Sequence, residues 1–201
     1  MFSSRSVYVL KLLQLENAIR MGNEDSALLL LEPQAKLSND AVEIAIKKDE
    51  SRLIRELLRR KEGQGTTLES GFTPLDLAAS NGSVNVTRVL LESGANANAA
   101  RRNGSTPLED ASLKGFVSIV MLLLDHGAQV NQVNSDSGTT ALYAAAAFGR
   151  DEIVKLLLER GADPSLCGRN RKSALQAAVE NGFSGTAALL RERSSYEGCR
   201  Q

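Results

Sequence analysis

The sequence predicts an all-α protein built from repeated helix pairs. A short segment that starts with a helix-capping residue recurs every 33 or 34 residues, at Thr73, Thr106, Thr140 and Ser173. A glycine follows nine positions after each start, and a leucine-rich block follows each glycine. A period of this length is typical of proteins in which each unit buries its apolar face against its neighbours.

The first helix of each unit has recognisable start and stop signals. Thr or Ser at the start can accept a hydrogen bond from an unpaired backbone N–H of the first turn. Pro74 and Pro107 follow directly, where a missing N–H costs nothing. The helix is expected to end at a glycine that adopts the left-handed conformation, at Gly82, Gly115, Gly149 and Gly182.

Leucine-rich blocks predict the second helix of each unit. They occupy residues 89–91, 122–124, 156–158 and 189–190. Three of them run into a Gly-Ala pair, which is expected to end the helix and open a turn. Because Leu, Val and Ala suffice for such packing, the 4% of aromatic residues is compatible with a core.

Two weaker helix pairs precede these units. The register extends back 33 residues from Thr73 to Asp40, and a further pair fits around Ala18 and Gly22. We predict degenerate capping pairs over 1–66 and a disordered tail over 194–201. The units between them are three repeats and a C-terminal capping repeat: 67–99, 100–132, 133–166 and 167–193.

This combination of capping residues, glycine, leucine block and Gly-Ala resembles the ankyrin repeat family. The resemblance is strong over residues 67–193 and weak over 8–61. It implies an all-α ankyrin-repeat solenoid, in which antiparallel helix pairs are stacked and joined by β-hairpin or loop fingers. The fingers and first helices would line a concave groove.

Several positions depart from the family pattern. The family's His after Thr-Pro-Leu is replaced by Asp76, Glu109, Tyr143 and Gln176. Arg171 stands where the last finger should have its glycine, so its geometry is the least certain. The finger over 131–138 carries one extra residue, so its tip is expected to protrude.

The overall composition excludes several classes of function. The chain has 24 basic and 24 acidic residues, so it lacks the excess of Lys and Arg typical of nucleic-acid binders and of acidic-membrane binders. One His and two Cys are too few for a disulfide framework or for common zinc sites. We expect a monomer with reduced thiols, in the cytoplasm or the nucleus.

No arrangement of residues indicates catalysis. His126 ends a second helix, where a solvated position explains it, and Cys167 lies in a finger too far away to form a nucleophile pair. No phosphate-binding glycine loop is present. The sequence therefore predicts neither an enzyme nor a cofactor or metal site.

The resemblance implies a protein or peptide partner held by finger residues and by the ends of the first helices. The positions that match are Phe72, Asn81, Arg102, Asn103, Ser105, Leu113, Lys114, Asp136, Thr139, Phe148, Arg169 and Lys172. The chain would act as a scaffold, an adaptor or a steric regulator. The alternative is a structural or targeting segment of a larger protein without an activity of its own.

Three polar residues have two interpretations each. Asp110 stands at a normally apolar position, and its carboxylate either bonds to a nearby finger or faces a partner. Asn98 and Asn131 lie where some ankyrin repeats are hydroxylated, and otherwise they would hold the fingers by side-chain hydrogen bonds.

Overall fold

A computed structural model describes residues 4–31, 37–60, 68, 71–168 and 171–193. These residues form twelve α-helices. They are α1 (Ser4–Met21), α2 (Glu24–Leu30), α3 (Asn39–Lys47), α4 (Ser51–Arg59), α5 (Pro74–Asn81), α6 (Val84–Glu92), α7 (Pro107–Lys114), α8 (Val117–Asp125), α9 (Ala141–Ala147), α10 (Asp151–Glu159), α11 (Ala174–Glu180) and α12 (Ser184–Arg193). The six predicted helix pairs are therefore confirmed. The predicted tail, 194–201, lies outside the described residues.

The chain divides into two compact units, Met1–Ala95 and Asn96–Gln201. In unit 1, the first helices α1, α3 and α5 pack in one row, and the second helices α2, α4 and α6 pack in another. Unit 2 repeats this arrangement, with α7, α9 and α11 in one row and α8, α10 and α12 in the other. Each unit is therefore a two-layered stack of helix pairs.

Side-chain caps begin five of the first helices, and four of these caps were predicted. The hydroxyl of Thr106 accepts the backbone N–H of Glu109 at 3.1 Å, and four equivalent bonds begin at Ser38, Thr73, Thr140 and Ser173. The carboxylate of Asp76 also accepts the backbone N–H of Thr73 at 3.1 Å, which completes a capping box. These contacts are local, so the sequence alone places them.

Two second helices of unit 1, α4 and α6, are capped by carboxylates from the preceding helix pair. Oε1 of Glu24 accepts the N–H groups of Arg52 and Leu53 at 2.7 and 3.1 Å. Asp49 accepts those of Asn85 and Val86 at 3.2 and 2.7 Å. The residues at the N-cap positions of α4 and α6 make no such bond themselves. Negative charge at these helix starts also interacts favourably with the positive end of the helix dipole.

The core is filled by aliphatic side chains, as the composition suggested. The largest side chains that are almost fully buried are all Leu, Ile or Val. In unit 1 they include Leu15, Ile19 and Ile46. The outer side of α1 is less polar than a cap should be, because Val9, Leu10 and Leu13 are about half exposed.

The fingers are tight turns closed by two backbone hydrogen bonds. In the turn that ends at Ser105, the N–H of Gly104 donates to Arg101 O at 2.9 Å, and the N–H of Arg101 donates to Ser105 O at 2.9 Å. The last finger keeps this geometry although Arg171 replaces glycine. Arg171 adopts a φ of 58°, and its N–H bonds to Gly168 O at 2.8 Å.

The extra residue of the finger over 131–138 widens its turn. The N–H of Gly138 bonds to Asn134 O four positions earlier, whereas the corresponding bond of Gly104 spans three positions. In the part of the chain that the structure describes, no helix is long and apolar enough to cross a membrane.

Candidate protein-binding surface

Unit 1 holds two of the residues predicted to meet a partner. Phe72 is half-buried, and its carbonyl closes the finger turn by accepting the N–H of Leu68 at 2.7 Å. Asn81 is exposed at the end of α5, where its amide donates to Leu77 O at 2.8 Å. Phe72 therefore takes part in local structure through its backbone, and Asn81 through its side chain.

The first finger of unit 2 presents two predicted residues and hides a third. Arg102 and Asn103 are exposed. Ser105 is only 8% exposed, because its hydroxyl turns inward to the carboxylates of Glu109 and Asp110 at 3.2 and 2.9 Å. The prediction that Ser105 lies on the binding surface is therefore wrong.

Glu109 fixes the second finger of unit 2 to helix α7. Its carboxylate accepts hydrogen bonds from the amide of Asn134 at 2.8 Å and from the hydroxyl of Thr139 at 2.6 Å, as well as from Ser105. Glu109 is 9% exposed, so its charge is stabilised mainly by these donors. Thr139, a predicted binding residue, is half-buried and serves this network, whereas Asp136 at the finger tip is exposed.

The unusual Asp110 is held inside the same region. Its carboxylate forms an ion pair with Arg101 of the preceding finger, and their side chains are 15% and 13% exposed. The first interpretation, a carboxylate bonded to a finger, is therefore confirmed. The acidic groups of α7 hold the two fingers rather than face a partner.

The C-terminal ends of the first helices add two exposed residues to the predicted surface. Lys114 is exposed, and Phe148 is 47% exposed. Leu113 is half-buried, and its carbonyl accepts the Nε–H of Arg150 at 3.2 Å. An aromatic ring and a cation thus lie at neighbouring helix ends.

Lys172 lies in an ion pair at the last finger. Its Nζ is 2.5 Å from a carboxylate oxygen of Glu180, and this hydrogen bond raises the pKa of the lysine. Arg169, also predicted to bind, lies outside the described residues.

Asn98 and Asn131 connect successive turns, as one interpretation predicted. The amide of Asn98 donates to Gly127 O at 3.0 Å, and its oxygen accepts the N–H of Gln129 at 2.7 Å. Asn131 makes the same pair of bonds with the turn after α10. Each amide therefore fastens one repeat to the next.

Among the described residues, the side chains that could serve in catalysis or metal binding do not come together in a site. The ring of His126 is exposed at the end of α8, and its Nδ1 lies 2.9 Å from Leu122 O. Cys167 is disulfide-bonded, so the expectation of reduced thiols is wrong at this position. Among the described residues, no group of three His, Cys, Asp or Glu could hold a metal ion.

The family model for ankyrin repeats (3 copies) matches residues 42–134 and 129–199. The chain belongs to the ankyrin repeat family. Ankyrin repeats are generally protein–protein interaction modules.

Three similar proteins illustrate the range of contexts in which ankyrin repeats occur. The chain is 30% identical over 152 residues to the ankyrin repeat, SAM and basic leucine zipper domain-containing protein 1 of Echinops telfairi, which covers 74% of this chain and 25% of that protein. It is 45% identical over 49 residues to the mouse ankyrin repeat family A protein 2, which covers 24% and 16%.

The third is the human NAD-capped RNA hydrolase NUDT12, with 46% identity over 56 residues. That match covers 28% of this chain and 12% of the hydrolase, so the activity in its name is not carried over. In all three cases the matched ankyrin region is a quarter or less of the relative's length.

Sequence reasoning missed the roles of Glu109 and Arg150 in this ankyrin surface. Glu109 occupies the position of the family's His, and that departure was the available signal. Arg150 directly follows Gly149, where the other units have Ser83, Phe116 and Phe183. The residue at this position differs between the units, which was a signal that the side chain of Arg150 contacts a specific neighbour.

Proposed function

We propose that unit 2 binds a protein or peptide partner through its fingers and first-helix ends, and acts as a scaffold, an adaptor or a steric regulator. The observation that carries this proposal is Phe148, an aromatic side chain 47% exposed next to the exposed Lys114. Aromatic and basic residues are enriched among those that dominate binding energy in protein interfaces.

The fingers support this proposal because they are fixed before a partner arrives. The contacts of Glu109 with Asn134 and Thr139, and of Asp110 with Arg101, order two successive fingers. A preorganised surface loses less conformational entropy on binding. Arg102, Asn103 and Asp136 are then held outward for contact.

The test is quantitative affinity capture with two matched variants. In Arg102→Ala/Phe148→Ala, a cation and an aromatic ring are removed from the proposed surface. In Met121→Ala, an exposed apolar side chain is removed from the second-helix layer, where Met121 is 44% exposed. Proteins lost by the first variant and kept by the second would support the proposal. Equal retention by both variants would contradict it.

The second candidate is a structural or targeting segment of a larger protein. It is favoured by the small share of each relative that the match covers, 25% or less. This candidate also agrees with the exposure of Val179. Its side chain is 50% exposed, although Ala79 and Ala146 at the same repeat position are fully buried. Under this candidate, capture would recover no protein that depends on Phe148.

We further propose that the chain is a non-enzymatic monomer inside the cell, in the cytoplasm or the nucleus. Light scattering of the purified chain tests its oligomeric state, and imaging of a tagged chain tests its location. The disulfide at Cys167 argues against a location in the cytoplasm or the nucleus, because such bonds persist mainly in oxidising compartments. Alkylation of thiols in the native protein, followed by mass spectrometry, measures how much Cys167 is reduced.

A further inference from the structure

The ends of three first helices in unit 2 lie side by side. Helix α9 packs between α7 and α11. Nε of Arg150, just after α9, donates to Leu113 O on α7 at 3.2 Å. The amide of Asn181, just after α11, donates to Ala147 O on α9 at 2.8 Å. Lys114, Phe148 and Asn181 therefore form one row, which we call the helix-end row.

Arg150 lies over the backbone next to this row. A Cβ atom built on Gly115 would come within 3.1 Å of Nε and 3.3 Å of Cζ of Arg150. The glycine therefore leaves room for the guanidinium to lie flat against the end of α7. A guanidinium has five N–H donors, and Arg150 uses Nε–H for the carbonyl of Leu113.

Three acidic groups on this side of unit 2 are already engaged. Glu109 accepts three side-chain hydrogen bonds, Asp110 pairs with Arg101, and Glu180 pairs with Lys172. Among the described residues, no carboxylate pairs with Lys114 or Arg150. The helix-end row and the adjacent Arg150 thus combine two cations without an acidic partner and an exposed aromatic ring.

We propose that the helix-end row binds a peptide segment in which an Asp or Glu stands beside an apolar residue. The carboxylate bonds to Arg150 and Lys114, and the apolar side chain packs on Phe148. Arginine binds carboxylates through two parallel N–H bonds, which fixes their orientation as well as their charge. This inference rests on the proposed function and names the chemistry of the partner.

The exposed Glu152, two residues after Arg150, sharpens the proposal. Its carboxylate lies on the first turn of α10 and repels a second negative charge brought to the same helix junction. Glu152→Gln is therefore expected to tighten the binding of an acidic peptide about twofold, a typical effect for an exposed charge.

The experiment selects short random peptides, displayed on phage, against the immobilised full chain. The same library is selected in parallel against Lys114→Glu/Arg150→Glu and against a control, Lys155→Glu/Arg191→Glu, in which two exposed cations of the second-helix layer are reversed. We expect peptides with Asp or Glu beside an apolar residue for the native chain and the control. The first variant is expected to select Lys- and Arg-containing peptides instead.

One selected acidic peptide is then synthesised with a fluorophore, and its Kd is measured by anisotropy. Lys114→Glu/Arg150→Glu should weaken binding by about thirtyfold or more, as for the loss of a hydrogen-bonded charge pair. Circular dichroism confirms that each variant is folded. Lys114→Gln, at an exposed residue without a described contact, should weaken binding by a few-fold even if the double variant does not fold.

Two results would overturn the inference, and they are distinguishable. Peptides without acidic preference that lose affinity in Arg102→Ala/Phe148→Ala would disprove the acidic partner but leave the proposed function intact. Peptides that bind all of these variants equally, or that depend on Met121, would overturn both.

Discussion

Two buried glutamates, one in each unit, are held in opposite ways. Glu109 in unit 2 is 9% exposed, and its carboxylate accepts hydrogen bonds from three side chains. Glu50 in unit 1 is 4% exposed, and neither of its carboxylate oxygens has a hydrogen-bond partner. The two glutamates are therefore buried to a similar extent, and they differ in the hydrogen-bond donors around their carboxylates.

The difference appears in the charge state of Glu50. Burial, together with the nearby charge of Glu24, raises its pKa from 4.5 to about 7, and Lys48 opposes this only in part. Glu24 stays near Glu50, because its carboxylate is held at the start of α4 by the N–H groups of Arg52 and Leu53. A buried carboxylate without hydrogen-bond donors thus holds its proton more tightly.

The largest effect should follow from removing the bonded glutamate. Glu109→Ala leaves the amide of Asn134 and the hydroxyl of Thr139 without their acceptor, so we expect a loss of about 3 kcal/mol in the free energy of unfolding. Urea denaturation followed by circular dichroism measures it. Glu109→Gln keeps one acceptor oxygen and should lose about half as much. A loss below that of an average surface substitution would contradict the role assigned to this network.

Replacement of the unbonded glutamate should have the opposite sign. Glu50→Gln removes the cost of a buried negative charge, and we expect it to stabilise the protein by about 2 kcal/mol at pH 8. The effect depends on pH, because a raised pKa contributes stability that is present below pH 4.5 and is lost as the pH rises to about 7. The gain should therefore vanish near pH 4.

Denaturation midpoints of Glu50→Gln and the native chain, measured between pH 4 and pH 8, test this sign. A gap that narrows as the pH rises would disprove the assignment. Glu43, which is 9% exposed and pairs with Lys47, offers a matched control. Glu43→Gln removes a paired charge and should not stabilise the protein at pH 8.

A smaller effect is expected at Asp49, next to Glu50. Asp49→Ala removes the acceptor for the first N–H groups of α6 and places alanine at a φ of 58°, so a loss of about 1.5 kcal/mol is expected. Asp49→Asn keeps an acceptor oxygen and a residue that tolerates this conformation, so it should lose less than half as much. Thermal unfolding of the two variants compares them, and equal losses would mean that capping contributes little.

Much of the fold could be predicted from the sequence, because its signals are local. Thr106 and Pro107 mark the start of a helix within a few residues of each other, and the helix begins there. The 33-residue register also located α3, although the register points to Asp40 and the capping residue is Ser38, two positions earlier. Capping and periodicity act over one or two turns, so no distant contact is needed to recognise them.

The parts of the candidate site that were missed depend on distant contacts. Glu109 and Asn134 are 25 residues apart, and no local pattern shows that their side chains meet. The sequence predicts a surface position for Ser105, because the register locates a finger but not the direction of its side chains. Phe148 could be placed at the exposed end of its helix, because that end follows directly from the glycine one position later.

The contacts of Glu109 also define where this protein can be recombined. The residue that orders the finger around Asn134 and Thr139 belongs to the helix before it. A chimera joined at the repeat boundary near residue 132 would separate a loop from its anchor. The smallest segment of unit 2 that can be exchanged with its contacts intact therefore begins inside one repeat, at α7, and ends inside the next.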